Sequence, residues 1–294
     1  MIGLLNVLEI VTPVFFLAAV GYIWVKFGFE YRVEFVTQFA TTLAVPCLVF
    51  TALMKTEFQP YYFSNLLLAA IIGYSILGII ALIFVKIFNL GVRTYLMPLI
   101  SGNTGNLGLP LCLFAFGDAG FGYAIIVFAV TSILAFTIGI WVVSGGVSPK
   151  QILKEPLVAS TIFGLIFMWQ GWETPTFLTN SLELIGQMAI PLMLITLGVA
   201  VARLKISDVK KSFFISGCKI FFGIVAAVLA SLLFDLPEEA ISVLIIQLSM
   251  PIAVTSYLLA EKYGADANAV AGLVVVSTLI TVAISPILLT FLVV

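Results

Sequence analysis

The run with the most chemical capacity is Ser101-Gly102-Asn103-Thr104-Gly105-Asn106-Leu107-Gly108-Leu109-Pro110. The amides of Asn103 and Asn106 donate and accept, so they suit a carboxylate while also capping helix ends. No continuous helix suits this composition: Pro110 lacks a donor and crowds the carbonyl four residues back, and Gly105 and Gly108 lower helix propensity. A second polar run inside apolar sequence holds Gln247, Ser249, Pro251, Thr255 and Ser256, and it should break likewise, from the opposite side. In hydrocarbon, freed backbone groups are tolerated only where protein or a wet cavity satisfies them. Two broken helices crossing at the midplane leave half-helix N-termini with unpaired N–H groups and partial positive charge, a site for an anion. The candidate binding residues are therefore Asn103, Thr104, Asn106, Gln247, Ser249 and Thr255. The helix breaks fall at Gly105, Gly108, Pro110 and Pro251.

Other chemistries are excluded by what is missing. The 294 residues contain no histidine, which removes imidazole triads, His-based zinc sites and imidazole proton relays. An intramembrane enzyme would need a metal cluster, a serine with a base, or paired membrane aspartates, and no aspartate falls within an apolar run, so no enzyme and no resident cofactor is expected. Cys47, Cys112 and Cys218 lie far apart in apolar sequence and read as small core residues. A net charge of -1 provides no basic footprint for nucleic acid.

The elements that must position these residues are membrane helices. With 62% hydrophobic and 9% charged residues and a mean hydropathy of +1.24, the chain cannot coat a water-facing fold. A spanning helix needs about 20 apolar residues. Ten such runs occur, at 4–26, 36–54, 62–87, 94–116, 119–144, 156–172, 177–202, 212–234, 239–260 and 267–292. They predict an all-α polytopic protein with short connections and no soluble domain. Lys26, Arg32, Lys86, Arg93, Lys150, Lys154, Arg203, Lys205, Lys210, Lys211 and Lys262 all fall in odd-numbered loops, against Lys55 alone across the membrane. The odd loops are therefore expected in the cytoplasm and both termini outside a cell membrane. No basic segment precedes the first apolar run, so that run reads as a membrane helix and not a cleaved leader.

The fifth loop divides the chain into 1–146, a cytoplasmic linker 147–155, and 156–294, two five-span halves that an odd count forces into opposite orientations. Ala44-Val45-Pro46 matches Ala189-Ile190-Pro191 at an offset of 145, and Asn106-Leu107-Gly108-Leu109-Pro110 matches Gln247-Leu248-Ser249-Met250-Pro251 at 141. Matches at equivalent spans point to an inverted repeat, the signature of secondary transporters.

At Asn103-Thr104-Gly105-Asn106-Leu107-Gly108-Leu109-Pro110, at Met250-Pro251-Ile252-Ala253-Val254 and at Leu258-Leu259-Ala260-Glu261-Lys262-Tyr263-Gly264, the sequence resembles the auxin efflux carrier family, whose bacterial and archaeal members are often labelled malate or malonate permeases. The resemblance implies two inverted five-helix repeats with crossed, broken helices four and nine, similar to bile-acid and sodium–proton exchanger architectures. It implies a dimerising scaffold of spans one, two, six and seven, faced by Pro46 and Pro191, and a moving transport unit of spans three to five and eight to ten. The crossover positions it carries over are Asn103, Thr104, Asn106, Gly108, Pro110, Gln247, Ser249 and Pro251. The long hydrophilic loop of the plant carriers is replaced here by 145–155, which argues against auxin as the substrate.

Three charged residues fall within spans. Glu9 and Glu183, near the outer ends of spans one and seven, face an outer vestibule or reach for headgroups. Lys219 in span eight snorkels to the cytoplasm or holds an anion in an inner vestibule. With no acid at the crossover, coupling stays open: efflux of a monovalent anion needs no coupling ion, whereas dicarboxylate uptake requires H+, or Na+ on backbone carbonyls. The sequence thus predicts a homodimeric carrier of small organic anions, mono- or dicarboxylates, working by elevator-type alternating access. The alternatives are an anion-selective channel and a Na+- or H+-coupled dicarboxylate symporter.

Overall fold

The computed structural model describes residues 4–55, 60–144, 156–204 and 208–292, with the side chains of 4–11, 60, 61, 136, 157 and 158 outside the described set. The predicted linker 147–155 and the cations Lys150, Lys154 and Lys205 also lie outside it. A backbone surrounded by apolar side chains must satisfy its own polar groups. Accordingly the described residues are helical nearly throughout, with no β-strand among them.

The helices are α1 (Leu4–Lys26), α2 (Val33–Phe39), α3 (Val45–Lys55), α4 (Pro60–Ile87), α5 (Val92–Ile100), α6 (Leu109–Leu134), α7 (Ile140–Ser144), α8 (Pro156–Gln170), α9 (Thr176–Gly186), α10 (Ala189–Arg203), α11 (Val209–Ser231), α12 (Glu238–Ser249), α13 (Val254–Lys262) and α14 (Ala267–Leu292). Single π-helical turns at Ala40–Ala44, Thr104–Gly108 and Ala135–Gly139 join neighbouring segments. Six helical runs among the described residues are long and apolar enough to cross a membrane: 33–55, 62–87, 104–144, 176–203, 209–231 and 267–292. α1, 23 residues long, is predominantly apolar as well, and Ala159–Gln170 is an apolar but shorter stretch of α8. Part of the difference from ten continuous spans has a local cause. The regions expected as spans four and nine are each interrupted, and the second half of the former runs on into the fifth through a sharp bend at Gly117, whose φ of 65° favours glycine.

Proline shapes two further places. Pro46 follows the π-helical turn Ala40–Ala44, which widens the helix where the missing donor and the crowded Thr42 carbonyl would otherwise strain it. Pro191 follows the turn at Gln187 and Met188 that separates α9 from α10, with Gln187 as the carbonyl four residues back. Pro46 is buried and Pro191 exposed.

Packing falls into two groups. α1 runs along α10, while α3 lies against α8 and α9. Elsewhere α4 packs on α5, α6 and α11, α11 on α12 and α14, α12 on α6, and α13 on α14. Backbones touch directly at the first of these seams: a Cβ on Gly21 would lie 2.0 Å from the Ile195 carbonyl oxygen, and one on Gly198 1.7 Å from that of Ala18. Small residues permit such approach between apolar helices, where dispersion and not water exclusion holds them together. The groups meet along fewer contacts, α1 with α6 and α14, α3 and α8 with α6, and α10 with Thr104–Gly108.

Two polar ends are tied off by side chains. At one, Arg93 donates to the Val143 carbonyl (3.0 Å) and the Tyr263 carbonyl (2.8 Å), Arg203 to the Tyr31 carbonyl (2.6 Å), and Lys211 lies over the Tyr95 ring. At the other, Lys55 pairs with Glu183, and Asn65 donates to the Asp235 carbonyl (3.2 Å). By chain position and these contacts, Lys26, Arg32, Lys86, Arg93, Arg203, Lys210, Lys211 and Lys262 share the first end, and Lys55 sits at the second.

Candidate functional site: a crossing of two interrupted helices

α5 stops at Ile100; Ser101 is extended (φ −82°, ψ 103°) and the chain turns at Asn103 (φ −77°, ψ 53°) before helix resumes at Thr104. α12 stops at Ser249, Met250 (φ −53°, ψ 148°) and Ala253 (φ −67°, ψ 138°) are extended, and α13 begins at Val254. The two extended segments pair antiparallel through Gly102 and Ile252. The Asn103 N–H donates to the Pro251 carbonyl (2.6 Å) and the Ala253 N–H to the Ser101 carbonyl (3.2 Å). Ser277 on α14 completes the arrangement: its Oγ accepts from the Ile252 N–H (3.0 Å) and donates to the Val274 carbonyl (3.2 Å). Each unwound stretch thus supplies the bonds that the other lost, which lets non-helical backbone persist inside an apolar bundle.

Pro251 lies within its extended segment, where a residue without a donor leaves no ladder bond unmade. Pro110 does not sit at its own interruption. It opens α6 behind the π-helical turn Thr104–Gly108, which absorbs the missing donor, so the chain unwinds at 101–103 and not at the proline. The sequence match of Pro110 with Pro251 at an offset of 141 therefore joins positions in different conformations.

The resumed helices start without side-chain caps: Asn103 makes no capping bond at the head of Thr104–Gly108, and Ala253 at the head of α13 has no side-chain acceptor to offer. Helix starts of this kind carry unpaired N–H groups and partial positive charge. Around them lie buried polar atoms with no hydrogen-bond partner: Asn103 Nδ2, both Gln247 amide atoms and Ser256 Oγ, with Thr281 Oγ1 nearby on α14. Each such atom costs about 1–3 kcal/mol when left unsatisfied. Gln247 is wholly buried. Its amide lies against Gly108, where a Cβ would come 2.3 Å from Oε1. Gly105 likewise makes room for the Phe128 ring.

The remaining sequence candidates divide. Thr104 is buried and Asn106 half-buried, both on the resumed π-helical turn. Ser249 is buried but donates to the Ile246 carbonyl of its own helix (2.9 Å). Thr255 is exposed, whereas its neighbour Ser256 is buried; the single-residue choice between them depends on the helical phase of α13, which an interrupted helix does not reveal in sequence. A cavity of about 10 Å³ beside the crossing is lined by Ser249, Met250, Thr281 and Ser285 among leucines and isoleucines. Such a space is about the least that a single water needs.

Lys219 departs from both sequence readings. It neither reaches an interface nor lines a vestibule: on α11, fully buried, it donates to the Leu248 carbonyl (3.0 Å) and to the Met250 carbonyl. The reason is that α12 ends there, and the last carbonyls of a helix, unpaired and partly negative, attract a cation more strongly than a long climb to solvent. Gly223, one turn along α11, admits the Leu248 carbonyl; a Cβ there would lie 2.1 Å from that oxygen. Glu183 pairs with Lys55 at one end of the bundle, away from the crossing. Glu9 belongs to α1, and its side chain lies outside the described residues. Ser277 and Thr281 escaped the sequence reading; their only signal is two hydroxyls one turn apart on α14, within a run of small residues.

The family model described as "Membrane transport protein" matches residues 6–145 and 140–289. An uncharacterized transporter of Methanocaldococcus jannaschii is 26% identical over 304 residues, covering 92% of this chain and 94% of its own. An uncharacterized transporter of Methanothermobacter thermautotrophicus is 25% identical over 299 residues, covering 95% of this chain and 96% of its own.

Proposed function

The chain belongs to the membrane transport protein family that includes the auxin efflux carriers, and from that premise we propose that it carries small organic anions, mono- or dicarboxylates, by elevator-type alternating access. Membership makes it a multi-pass membrane transporter and not an enzyme. The observation that carries the substrate class is the pair of uncapped helix starts, Thr104 and Val254, meeting beside the unpartnered Asn103 and Gln247 amides. Electropositive backbone ends with spare donors fit a carboxylate, and the orphaned amides gain the partner that they lack.

The same reading takes the interrupted segments as the fourth and ninth of ten crossings in two inverted five-helix repeats, 1–146 and 156–294. In its support, the widened turn before Pro46 and the turn before Pro191 occupy matching places, and the two extended segments pair symmetrically. The grouping of α1–α3 with α8–α10, apart from α4–α7 with α11–α14, fits a scaffold and a moving unit. Cations gathered at one end favour that end as cytoplasmic, with both termini outside the cell membrane. Dimerisation through the scaffold belongs to this proposal, as does any Na+ or H+ coupling of dicarboxylate uptake.

The test is uptake and counterflow in proteoliposomes across a panel of mono- and dicarboxylates, with Asn103→Ala and Asn106→Ala beside wild type. Saturable uptake with counterflow, weakened about tenfold or more in apparent affinity by the substitutions, is expected. Flux without counterflow would make the protein a channel, and full activity in both variants would move the site elsewhere.

A further inference from the structure

Lys219 is a cation with no carboxylate beside it. Among the described residues Arg32 pairs with Glu30 and Lys55 with Glu183, and neither pair engages it. Its partners are instead two backbone carbonyls, Leu248 and Met250, at the end of α12. Those oxygens, with the negative end of the helix, are the kind of ligand set that a hard monovalent cation would take at a helix break. The ammonium fills that place from within the chain. It also lies at the crossing itself, since a Cβ on Gly102 would be 3.3 Å from Nζ. Lys219 donates two of its three N–H groups to these carbonyls and has one to spare.

We propose that Lys219 is a built-in counter-cation: it travels with the crossing, neutralises a bound monovalent carboxylate, and takes the position that a coupling Na+ would otherwise hold. This rests on the carrier reading above and specifies its charge stoichiometry. When a monocarboxylate is bound, the carboxylate and the ammonium cancel, so the loaded unit moves no net charge. The empty unit returns with the ammonium alone, and that step feels the membrane potential. A dicarboxylate leaves one negative charge uncompensated, so its loaded step feels the potential too.

The experiment is homo-exchange in proteoliposomes with substrate saturating on both faces, under imposed potentials of either sign, with and without Na+. For wild type, monocarboxylate exchange should change by less than about twofold with potential and be indifferent to Na+, whereas dicarboxylate exchange should change about fivefold or more. Net monocarboxylate efflux into substrate-free medium should speed up with the interior negative, because the empty return then carries the charge inward. Lys219→Arg should preserve the pattern. Lys219→Met should make monocarboxylate exchange potential-dependent. Wild-type monocarboxylate exchange that requires Na+, or that follows the potential as steeply as dicarboxylate exchange, overturns the proposal even if the methionine variant fails to fold. Absence of any exchange while flux persists would instead refute the carrier reading.

Discussion

Replacing Gln247 by methionine should push stability and affinity in opposite directions. The side chain is wholly buried and neither amide atom has a partner. An unsatisfied buried group costs about 1–3 kcal/mol, so two such atoms burden the empty protein. Methionine is unbranched and of similar length, and a volume-conserving exchange of this kind costs under about 1.5 kcal/mol. The empty Gln247→Met protein is therefore expected to be more stable by about 1 kcal/mol or more. Bound anion reverses the sign. A hydrogen bond to a charged group is worth about 1.5–3 kcal/mol, which at 1.4 kcal/mol per decade weakens apparent affinity by about 10–100-fold. Thermal unfolding of the detergent-solubilised empty protein measures the first effect, and the concentration dependence of initial uptake in proteoliposomes the second. A variant that melts lower than wild type while keeping its apparent affinity refutes the reasoning, since Gln247 would then be a packing residue with partners of its own.

Two further substitutions probe the supports of the crossing. Ser277→Ala removes the acceptor of the Ile252 N–H, so about 1–3 kcal/mol should be lost locally; amide hydrogen exchange at 250–253 should accelerate, Ser277→Thr should restore it, and unchanged protection in the alanine variant would show another acceptor in place. Gly223→Ala sets a methyl 2.1 Å from the Leu248 oxygen, and parting α11 from α12 should cost about 1–3 kcal/mol. A lower melting temperature together with slower substrate exchange in proteoliposomes is the expected outcome, and a wild-type melting temperature would count against the close approach.

Much of this arrangement was legible in sequence because polar and helix-breaking residues are costly inside apolar runs. Asn103, Gly105, Asn106 and Gly108 in the first run and Gln247 and Pro251 in the second mark both interruptions within a few residues of their places. The finer placement was hidden. A proline signals strain without saying how the chain relieves it: Pro46 and Pro110 follow π-helical turns, and Pro251 sits in extended backbone. Thr255 and Ser256 differ by one position, and only the phase of α13 decides which is buried. Lys219 was visible as an anomaly, but its partners are main-chain carbonyls separated from it by 29 and 31 residues. No side-chain pattern announces a carbonyl pair.

The way the interior is locked together bears on how such a protein could move. The closest approaches of a glycine to the backbone of another helix join α1 to α10 through Gly21 and Gly198, α11 to α12 through Gly223, and α3 to α9 through Gly186. Each seam lies inside one of the two packing groups. The polar links follow the same division: Tyr31 with Thr196 and Arg203, and Lys55 with Glu183, on one side; Arg93 with Val143 and Tyr263, Asn65 with Asp235, Lys219 with Leu248, and Ser277 with Ile252 on the other. Backbone-to-backbone approaches resist sliding, because displacing either helix drives an oxygen into the other's chain, and buried hydrogen bonds resist it because breaking one strands a donor. An interface meant to slide must avoid both devices. Where the groups meet, at α1 with α6 and α14, at α3 and α8 with α6, and at α10 with Thr104–Gly108, none of these named locks occurs. That contrast between interlocked interiors and a seam without these named locks fits the proposed movement of two rigid units, and Thr104–Gly108 lies on that seam.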